Sequence, residues 1–307
     1  MGFQIVALNV LSLLIYILCG YLPVKAKLAE TSHARSLAAI LMYVLNPCLF
    51  LNAVQNLQRS PECSRNTVRF FLASLTVMLL FFGVMYACFH KKYADARYRI
   101  LSIGAIMGNV GFLGLPLVTS LFPNEPIVAV YSATYGVAMN LLVFSVGVYM
   151  ITNDRKYFSL KSALVNPTGV GTALALLMYV TDFRLPSVPA DIVALFSKMT
   201  TPMCMIILGM RLASVELPKL FKRKFAYAVG VLKLIVYPLF VWLIARLIPG
   251  VDPVFRASLY ILSAAPCAAA IQNLSELYNC EQELAANAVM VATLMSLLTL
   301  PLSALLI

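Results

Sequence analysis

The stretch that decides the fold reads Gly108-Asn109-Val110-Gly111-Phe112-Leu113-Gly114-Leu115-Pro116, and it interrupts an otherwise apolar run. Its three glycines, its asparagine and its proline disfavour a continuous helix. In hydrocarbon an unpaired backbone N–H or C=O costs several kcal/mol, so a helix break is tolerated only inside protein or beside a polar cavity. We therefore predict a broken helix within a membrane bundle, with the ends of two half-helices directed at one place.

Two other interpretations of this stretch compete with a broken helix at a binding site. Glycines also permit close packing between membrane helices, and a glycine-rich loop can bind a dinucleotide. The spacing is Gly-x-x-Gly-x-x-Gly without a strand-turn-helix context, which disfavours dinucleotide binding. The second half of the chain interrupts a helix at the corresponding place, at Pro266. This second interruption favours a functional role over close packing alone.

The composition indicates an integral membrane protein. Hydrophobic residues make up 62% of the 307 residues and charged residues 11%, and the mean hydropathy is +0.89. A soluble domain has about 25% charged residues. Apolar runs of roughly 20 residues recur along the chain and leave no room for a separate soluble domain. The first run begins almost at Met1 without a basic leader, so we expect a retained span rather than a signal peptide.

The basic excess and the cysteines indicate neither nucleic-acid nor metal binding. The net charge of +11 arises from Lys and Arg in short loops between apolar runs, which is typical of topology determinants. The seven cysteines include no Cys-x-x-Cys pair, and both histidines lie in or beside loops. We expect no nucleic-acid partner, no metal and no cofactor. The apolar runs contain no nucleophile paired with a base, so the sequence does not indicate an intramembrane enzyme.

The hydrophobic pattern predicts an all-α membrane protein with ten transmembrane helices, at residues 3–22, 36–57, 68–90, 100–121, 127–151, 165–181, 190–213, 225–247, 255–277 and 284–306. A first five-helix repeat covers 1–151, a short cytosolic connection 152–164, and a second five-helix repeat 165–307. Lys and Arg are concentrated in the odd-numbered loops, including the basic run at 219–224. We therefore expect a multi-pass protein of the cell membrane with both termini extracytoplasmic.

The two halves of the chain repeat each other. A shift of about 155 residues lays Pro47 on Pro202 and Gly111 on Pro266. Because each half holds an odd number of spans, the second half enters the membrane from the opposite side, which makes the repeat inverted. Evenly spaced helices would also give such a shift, but matched prolines in the same two helices of each half favour a true repeat.

Prolines interrupt the second and seventh spans at Pro47 and Pro202. A proline at mid-span removes a backbone hydrogen bond and leaves a carbonyl oxygen for another group to satisfy. Asn46 and Thr201 precede these prolines and can supply that group. The sequence leaves open whether the two features are simple kinks or line a ligand path.

The ninth span carries Pro266 within a run of small residues that permits a close helix crossing. The fourth span would approach it with Asn109, so helices four and nine are predicted to be broken and to cross. The predicted helix breaks are at Pro47, Pro116, Pro202 and Pro266. The candidate ligand contacts are Asn109, Gly108, Val110, Gly111, Ala265, Pro266, Cys267, Asn46 and Thr201.

Three further polar residues within spans are candidates for coupling: Lys233, Asn140 and Asn287. A lone asparagine in a bundle more often joins neighbouring helices. Lys233 could carry a substrate or coupling charge. Snorkelling of its side chain to the cytosolic headgroups is favoured, because basic residues already crowd that end of its span. The spans lack the buried pair of carboxylates that would indicate a sodium or proton site.

Taken together, these motifs resemble the auxin efflux carrier family over essentially the whole chain. The resemblance is carried by Leu45-Asn46-Pro47-Cys48-Leu49-Phe50, by the run from Gly108 to Pro116, by Thr201-Pro202-Met203 through Leu208-Gly209-Met210-Arg211-Leu212, and by Ala265-Pro266 with the following span of Asn287. That family includes plant auxin exporters and microbial permeases for malate and related organic acids. The connection at 152–164 is far shorter than the long loop of the plant exporters, so this chain is more similar to the compact microbial permeases.

The resemblance implies two inverted repeats of five helices, with broken helices four and nine crossing at the centre. Helices 1, 2, 6 and 7 would form a scaffold that often also provides a homodimer surface, and helices 3–5 and 8–10 a moving transport domain. Substrate would bind beside the crossing, and an elevator-like displacement would carry it across the lipid bilayer.

We therefore expect a secondary active transporter, a permease or efflux carrier, for a small organic anion such as a carboxylate. Positive half-helix ends and the amide of Asn109 suit an anionic group. One alternative is a sodium-coupled symporter of the bile-acid type. The lack of acidic residues near the crossing disfavours it. Another is a membrane sensor or receptor, against which the lack of a soluble output domain counts.

Overall fold

The computed structural model describes residues 2–55, 57, 60–154, 167–213, 224–303 and 306. In these ranges the chain is helical apart from turns, irregular connections and one isolated β-bridge. The helices, numbered in chain order, are α1 Gly2–Lys25, α2 33–55, α3 Pro61–Phe89, α4 Ala96–Gly104, α5 110–121, α6 Ile127–Thr152, α7 Pro167–Thr181, α8 Ser187–Ala213, α9 Lys224–Arg246, α10 Pro253–Ala264, α11 Ala269–Leu277 and α12 Gln282–Ser303. Most of the predicted connection at 152–164 and of the basic run at 219–224 lies outside the described residues.

Prolines explain where several of these helices widen. Within the described ranges, α2, α5, α6 and α9 each contain a π-helical turn, at 41–45, 110–114, 143–147 and 232–236. Three of these turns directly precede a pair that ends in proline: Asn46-Pro47, Leu115-Pro116 and Tyr237-Pro238. Proline lacks an N–H, and its ring clashes with the carbonyl four residues earlier. The wider turn accommodates that carbonyl, so the helix passes the proline without ending.

Three of the four predicted break positions are therefore corrected. Pro202 lies inside α8, which is continuous from Ser187 to Ala213. At Pro47 the helical segment Asn46–Gln55 follows its π-helical turn without a gap. Pro116 stands in the first turn of the segment Leu115–Leu121, and the break of this region lies upstream, at 105–109. Membrane helices tolerate such prolines because neighbouring groups and local widening satisfy the freed backbone.

Six described segments are long and apolar enough to cross a membrane: Ser36–Gln55, Pro61–Lys92, Ile127–Thr152, Ser187–Ala213, Lys224–Arg246 and Gln282–Leu300. A shorter apolar helix covers Ile15–Lys25. Large apolar side chains are exposed along several of these helices, for example Leu72 and Leu79 of α3 and Leu195 of α8. The surface of a water-soluble protein does not carry such long apolar stripes. The chain is a multi-pass membrane protein, and the count of ten spans stays a prediction.

The buried side chains form two main clusters. The larger cluster joins α3 to α7 with α9 to α12 and includes the end of α2. The smaller cluster joins α1, the first part of α2 and α8, and it receives Leu113 from α5. In the smaller cluster α1 and α8 are in backbone contact, because a Cβ at Gly20 would lie 1.9 Å from the Ile206 carbonyl oxygen. Only glycine allows this approach.

The helices on the N-terminal side of the two breaks begin in the same way. Asp95 caps α4 by accepting a hydrogen bond from the Arg97 backbone N–H at 2.9 Å, and Asp252 caps α10 by accepting one from the Phe255 N–H at 2.7 Å. Such caps satisfy donors that have no partner within the helix. The Arg97 side chain also hydrogen-bonds to Asp95 and, together with the backbone bond, lowers the pKa of that carboxyl below its ordinary value. The caps set the start of the two helices that lead to the central bridge.

Candidate functional site

The two breaks meet in an isolated antiparallel bridge between Gly108 and Cys267. The Asn109 N–H donates to the Pro266 carbonyl at 2.6 Å, and the Ala268 N–H donates to the Met107 carbonyl at 3.0 Å. Extended backbone groups that no helix can satisfy are thus paired with each other. This pairing answers the requirement that broken helices impose inside a membrane.

The two hydrogen bonds of the bridge are related by the repeat of the chain. The shift that relates the two halves at the bridge differs from the expected one. Asn109 and Ala268 are 159 residues apart, and so are Met107 and Pro266, so each hydrogen bond is the counterpart of the other. The expected shift of about 155 residues placed Gly111 on Pro266, and at the bridge that placement is wrong. The helix before the second break has 12 residues and the helix before the first break has nine. A single residue shift therefore cannot align the whole of the first half with the second.

Most of the candidate ligand contacts form the bridge itself. Gly108, Val110, Ala265, Pro266 and Cys267 are buried. Gly108 leaves little room for a side chain, because a Cβ there would lie 3.0 Å from Lys233 Nζ and 3.3 Å from the Ala265 carbonyl oxygen. These residues hold the two segments together in the conformation described.

Asn109 and Gly111 differ from their neighbours because both are partly exposed. The Asn109 carbonyl accepts hydrogen bonds from the N–H groups of Leu113 and Gly114, which starts the turn that leads into α5. Among the described residues outside its own turn, no atom lies within 4 Å of the position that a Cβ at Gly111 would take. An amide side chain, the first turn of a helix and open space are therefore adjacent at 109–111.

Lys233 lies at the bridge and not at the membrane surface. Its side chain is 0% exposed, and Nζ donates to the carbonyl of Ile106 at 3.1 Å and to that of Ser263 at 2.8 Å. The expected snorkelling to the cytosolic headgroups is therefore wrong. The π-helical turn at 232–236, before Tyr237-Pro238, contains Lys233 and interrupts the regular spacing of side chains along α9.

One tyrosine contacts this lysine, and a second tyrosine contacts the first. Lys233 Nζ lies 4.6 Å from the ring centroid of Tyr237, within the range of a cation–π interaction. The Tyr237 hydroxyl is 3.0 Å from the hydroxyl of Tyr135 on α6, and both side chains are buried. The lysine is thus connected through Tyr237 to a helix of the first half.

The proline-associated polar residues lie elsewhere. Asn46 is buried, and its Oδ1 has no hydrogen-bond partner among the described residues. Thr201 is partly exposed on α8. Its neighbour Thr200 donates to the Leu45 carbonyl of α2 at 3.2 Å, two residues before Pro47. Asn140 on α6 and Asn287 on α12 are both partly exposed.

A separate cavity of ≈ 270 Å³ lies between α2, α3, α6 and α7. Its lining includes Phe50, Phe71 and Val137. The Thr67 hydroxyl donates to the Cys63 carbonyl at 2.8 Å, and the Thr134 hydroxyl donates to the Val130 carbonyl. The lining contains none of the bridge residues and presents an apolar surface.

Sequence reasoning missed the position of Lys233, the Tyr135–Tyr237 pair and the role of Pro238. A signal was present, because Lys233 stands five residues before Pro238 in an otherwise apolar span. A proline at that distance predicts an irregular turn around the lysine. The tyrosine pair had no local signal, since its members are 102 residues apart.

The comparisons with known proteins agree with a transport role. A family model described as "Membrane transport protein" matches the chain twice, at residues 5–153 and at residues 152–304. The uncharacterized transporter MJ1031 of Methanocaldococcus jannaschii is 26% identical over 302 residues, which cover 95% of this chain and 96% of that protein. The chain therefore belongs to this family of membrane transport proteins, the auxin efflux carrier family that its motifs resemble.

Proposed function

We propose that this membrane transporter is a secondary active carrier for a small organic anion such as a carboxylate, of the microbial malate and organic-acid permease type. The observation that carries the proposal is the bridge between two broken helices. Secondary transporters place substrate where discontinuous helices meet, with positive half-helix ends directed at anionic groups. Here the partly exposed Asn109 and the open space at Gly111 lie at the start of such a half-helix.

In this proposal the substrate anion binds beside the bridge. The Asn109 amide donates hydrogen bonds to it, and the first turn of α5 adds a favourable dipole, a contribution of about 0.3–1 kcal/mol in an exposed setting. Asn46, whose Oδ1 has no described partner, and Thr201 are candidates for contact in another state of the carrier. The buried bridge residues would hold the site and leave direct contact to Asn109.

The proposed transport cycle is elevator-type alternating access. The ten predicted spans would form two inverted repeats, and the broken spans four (α4 and α5) and nine (α10 and α11) would cross. The scaffold would consist of α1, α2, α7 and α8, and the moving domain of the remaining helices. The small cluster supports this division for α1, the first part of α2 and α8, whereas α7 and the end of α2 pack in the larger cluster. The scaffold would also carry a homodimer contact, and both termini would face the extracytoplasmic side.

A thermal-shift screen of the purified protein tests the substrate class, because a ligand that binds the folded state raises the melting temperature. The acids are malate, malonate, lactate and indole-3-acetate. Malonamide is a matched control, since it keeps the skeleton of malonate without its charge. We expect a shift with at least one acid and none with malonamide. A rise in melting temperature only with amines or neutral solutes would contradict the proposal that the substrate is an anion.

Counterflow in reconstituted vesicles then tests transport itself. Vesicles loaded with an acid that gave a shift should accumulate the labelled form of that acid transiently against its gradient. A receptor or an enzyme would bind or convert the compound without moving it. Binding without counterflow would therefore contradict the carrier assignment.

A further inference from the structure

The ammonium of Lys233 contacts both broken helices close to the points where their first halves end. Its two acceptors, the carbonyls of Ile106 and Ser263, belong to residues that are 157 positions apart. Ile106 stands two residues after the end of α4, and Ser263 is the last residue but one of α10. Nζ thus lies between the C-terminal ends of the helices that lead into the bridge.

These helix ends create a need for positive charge. The last carbonyls of a helix lack intrahelical partners, and the C-terminus carries a partial charge of about −0.5. Two such ends meet here in a fully buried place. Unpaired carbonyls inside a membrane protein cost several kcal/mol. A cation at this point satisfies the oxygens and balances both dipoles.

In transporters built from broken helices, unwound carbonyls and half-helix C-terminal ends are the groups that coordinate a coupling Na⁺. The Lys233 side chain delivers an ammonium to such groups from α9, and Tyr237 covers it with the face of its ring. Both recorded hydrogen-bond acceptors of Nζ are neutral backbone oxygens, and neither is a carboxylate.

We propose that the space between the Ile106 and Ser263 carbonyls is a monovalent-cation position, and that the tethered ammonium of Lys233 occupies it in place of a bound Na⁺. The protein then supplies the cation from its own side chain. Lys233 is a positioning residue, because its Nζ donates hydrogen bonds to carbonyls at the ends of both helices. The consequence for transport rests on the proposed function: uptake of substrate should not require Na⁺.

The first experiment uses the unaltered protein in detergent. Its melting temperature is measured in NaCl, KCl and choline chloride at equal ionic strength. We expect the three curves to coincide, because the position is already filled. A selective upward shift in NaCl would overturn the proposal.

The second experiment empties the position with Lys233→Ala. We expect a loss of several degrees in melting temperature, partly restored by NaCl or by methylammonium chloride and not by tetramethylammonium chloride. Methylammonium has N–H donors for the two carbonyls, whereas tetramethylammonium has none. Lys224→Ala is the matched control, since Lys224 is exposed at the start of the same helix. It should match the unaltered protein in every salt.

An unchanged melting temperature for Lys233→Ala, or a loss that no small cation reverses, would overturn the cation position. If this variant does not fold, the salt comparison on the unaltered protein decides. All these measurements are made without substrate. A failed anion screen with the expected salt results would therefore reject the proposed substrate and leave the cation position standing.

Discussion

The backbone N–H of Asn109 donates a hydrogen bond to the carbonyl of Pro266 at 2.6 Å, across 157 residues of sequence. Its counterpart, from Ala268 to Met107, completes a pair of bonds between two non-helical segments in the interior of a membrane protein. Each segment satisfies backbone groups that the other leaves open. Neither break is stable alone in hydrocarbon, so the two halves of the chain depend on each other at this point.

Replacing Asn109 by alanine should lower transport without lowering stability. The side chain is partly exposed, the bridge uses the backbone N–H of Asn109, and its carbonyl accepts the bonds that start α5. A hydrogen bond to a charged group contributes about 1.5–3 kcal/mol, so we expect a loss of about tenfold or more in counterflow. The melting temperature without substrate should stay unchanged. Asn66→Ala, on α3, serves as the comparison, because Asn66 is also partly exposed and is not a candidate ligand or coupling residue. Full counterflow in Asn109→Ala would remove this residue from the site.

Gly108→Ala and Gly111→Ala form a matched pair for the bridge. The added methyl group at Gly108 would lie 3.0 Å from Lys233 Nζ and 3.3 Å from the Ala265 oxygen, whereas at Gly111 no described residue outside its own turn would come within 4 Å of it. Overpacking costs about 1–3 kcal/mol. We expect a clearly lower melting temperature for the first variant and little change for the second. Equal effects would contradict the close approach at Gly108.

The contact between α1 and α8 should be sensitive to one methyl group. A Cβ at Gly209 would lie 1.9 Å from the Ile17 carbonyl oxygen, and the collision is with backbone, which cannot move aside as a side chain can. Gly209→Ala should therefore destabilise the protein by more than about 1 kcal/mol, measured by thermal unfolding in detergent. Gly83→Ala on α3 is the control, because no described residue outside its own helix would come within 4 Å of a Cβ there. A neutral Gly209→Ala would contradict the packing of these helices.

The hydroxyl pair of Tyr135 and Tyr237 should behave as one unit. Tyr135→Phe and Tyr237→Phe each remove one partner of the 3.0 Å contact and leave a buried hydroxyl unpaired. Each should cost about 1–3 kcal/mol. The double variant should cost less than the two single losses added together, since no unpaired hydroxyl remains. Strict additivity in a double-mutant cycle would show that the hydroxyls do not interact.

Several features of the molecule were predictable because they depend on local chemistry. Apolar runs indicated a membrane protein, and the glycines at 108–114 and Pro266 indicated where helices would be interrupted. Both interruptions occur, at 105–109 and 265–268. Other local signals were misleading, since Pro202 lies within a continuous helix and the widened turns absorb Pro47 and Pro116. A proline marks a missing donor, and its surroundings decide whether the helix ends.

The sequence by itself determined the membrane class, the family and the approximate location of the two breaks, because hydrophobicity and backbone preference are properties of neighbouring residues. The tertiary structure alone decided the register of the bridge and the place of Lys233. By charge and position this lysine had two physically reasonable destinations, the headgroups and the interior. Its partners are backbone carbonyls of two distant segments, Ile106 and Ser263, and any residue type carries a carbonyl. Their availability to the ammonium depends on where the helices end in space.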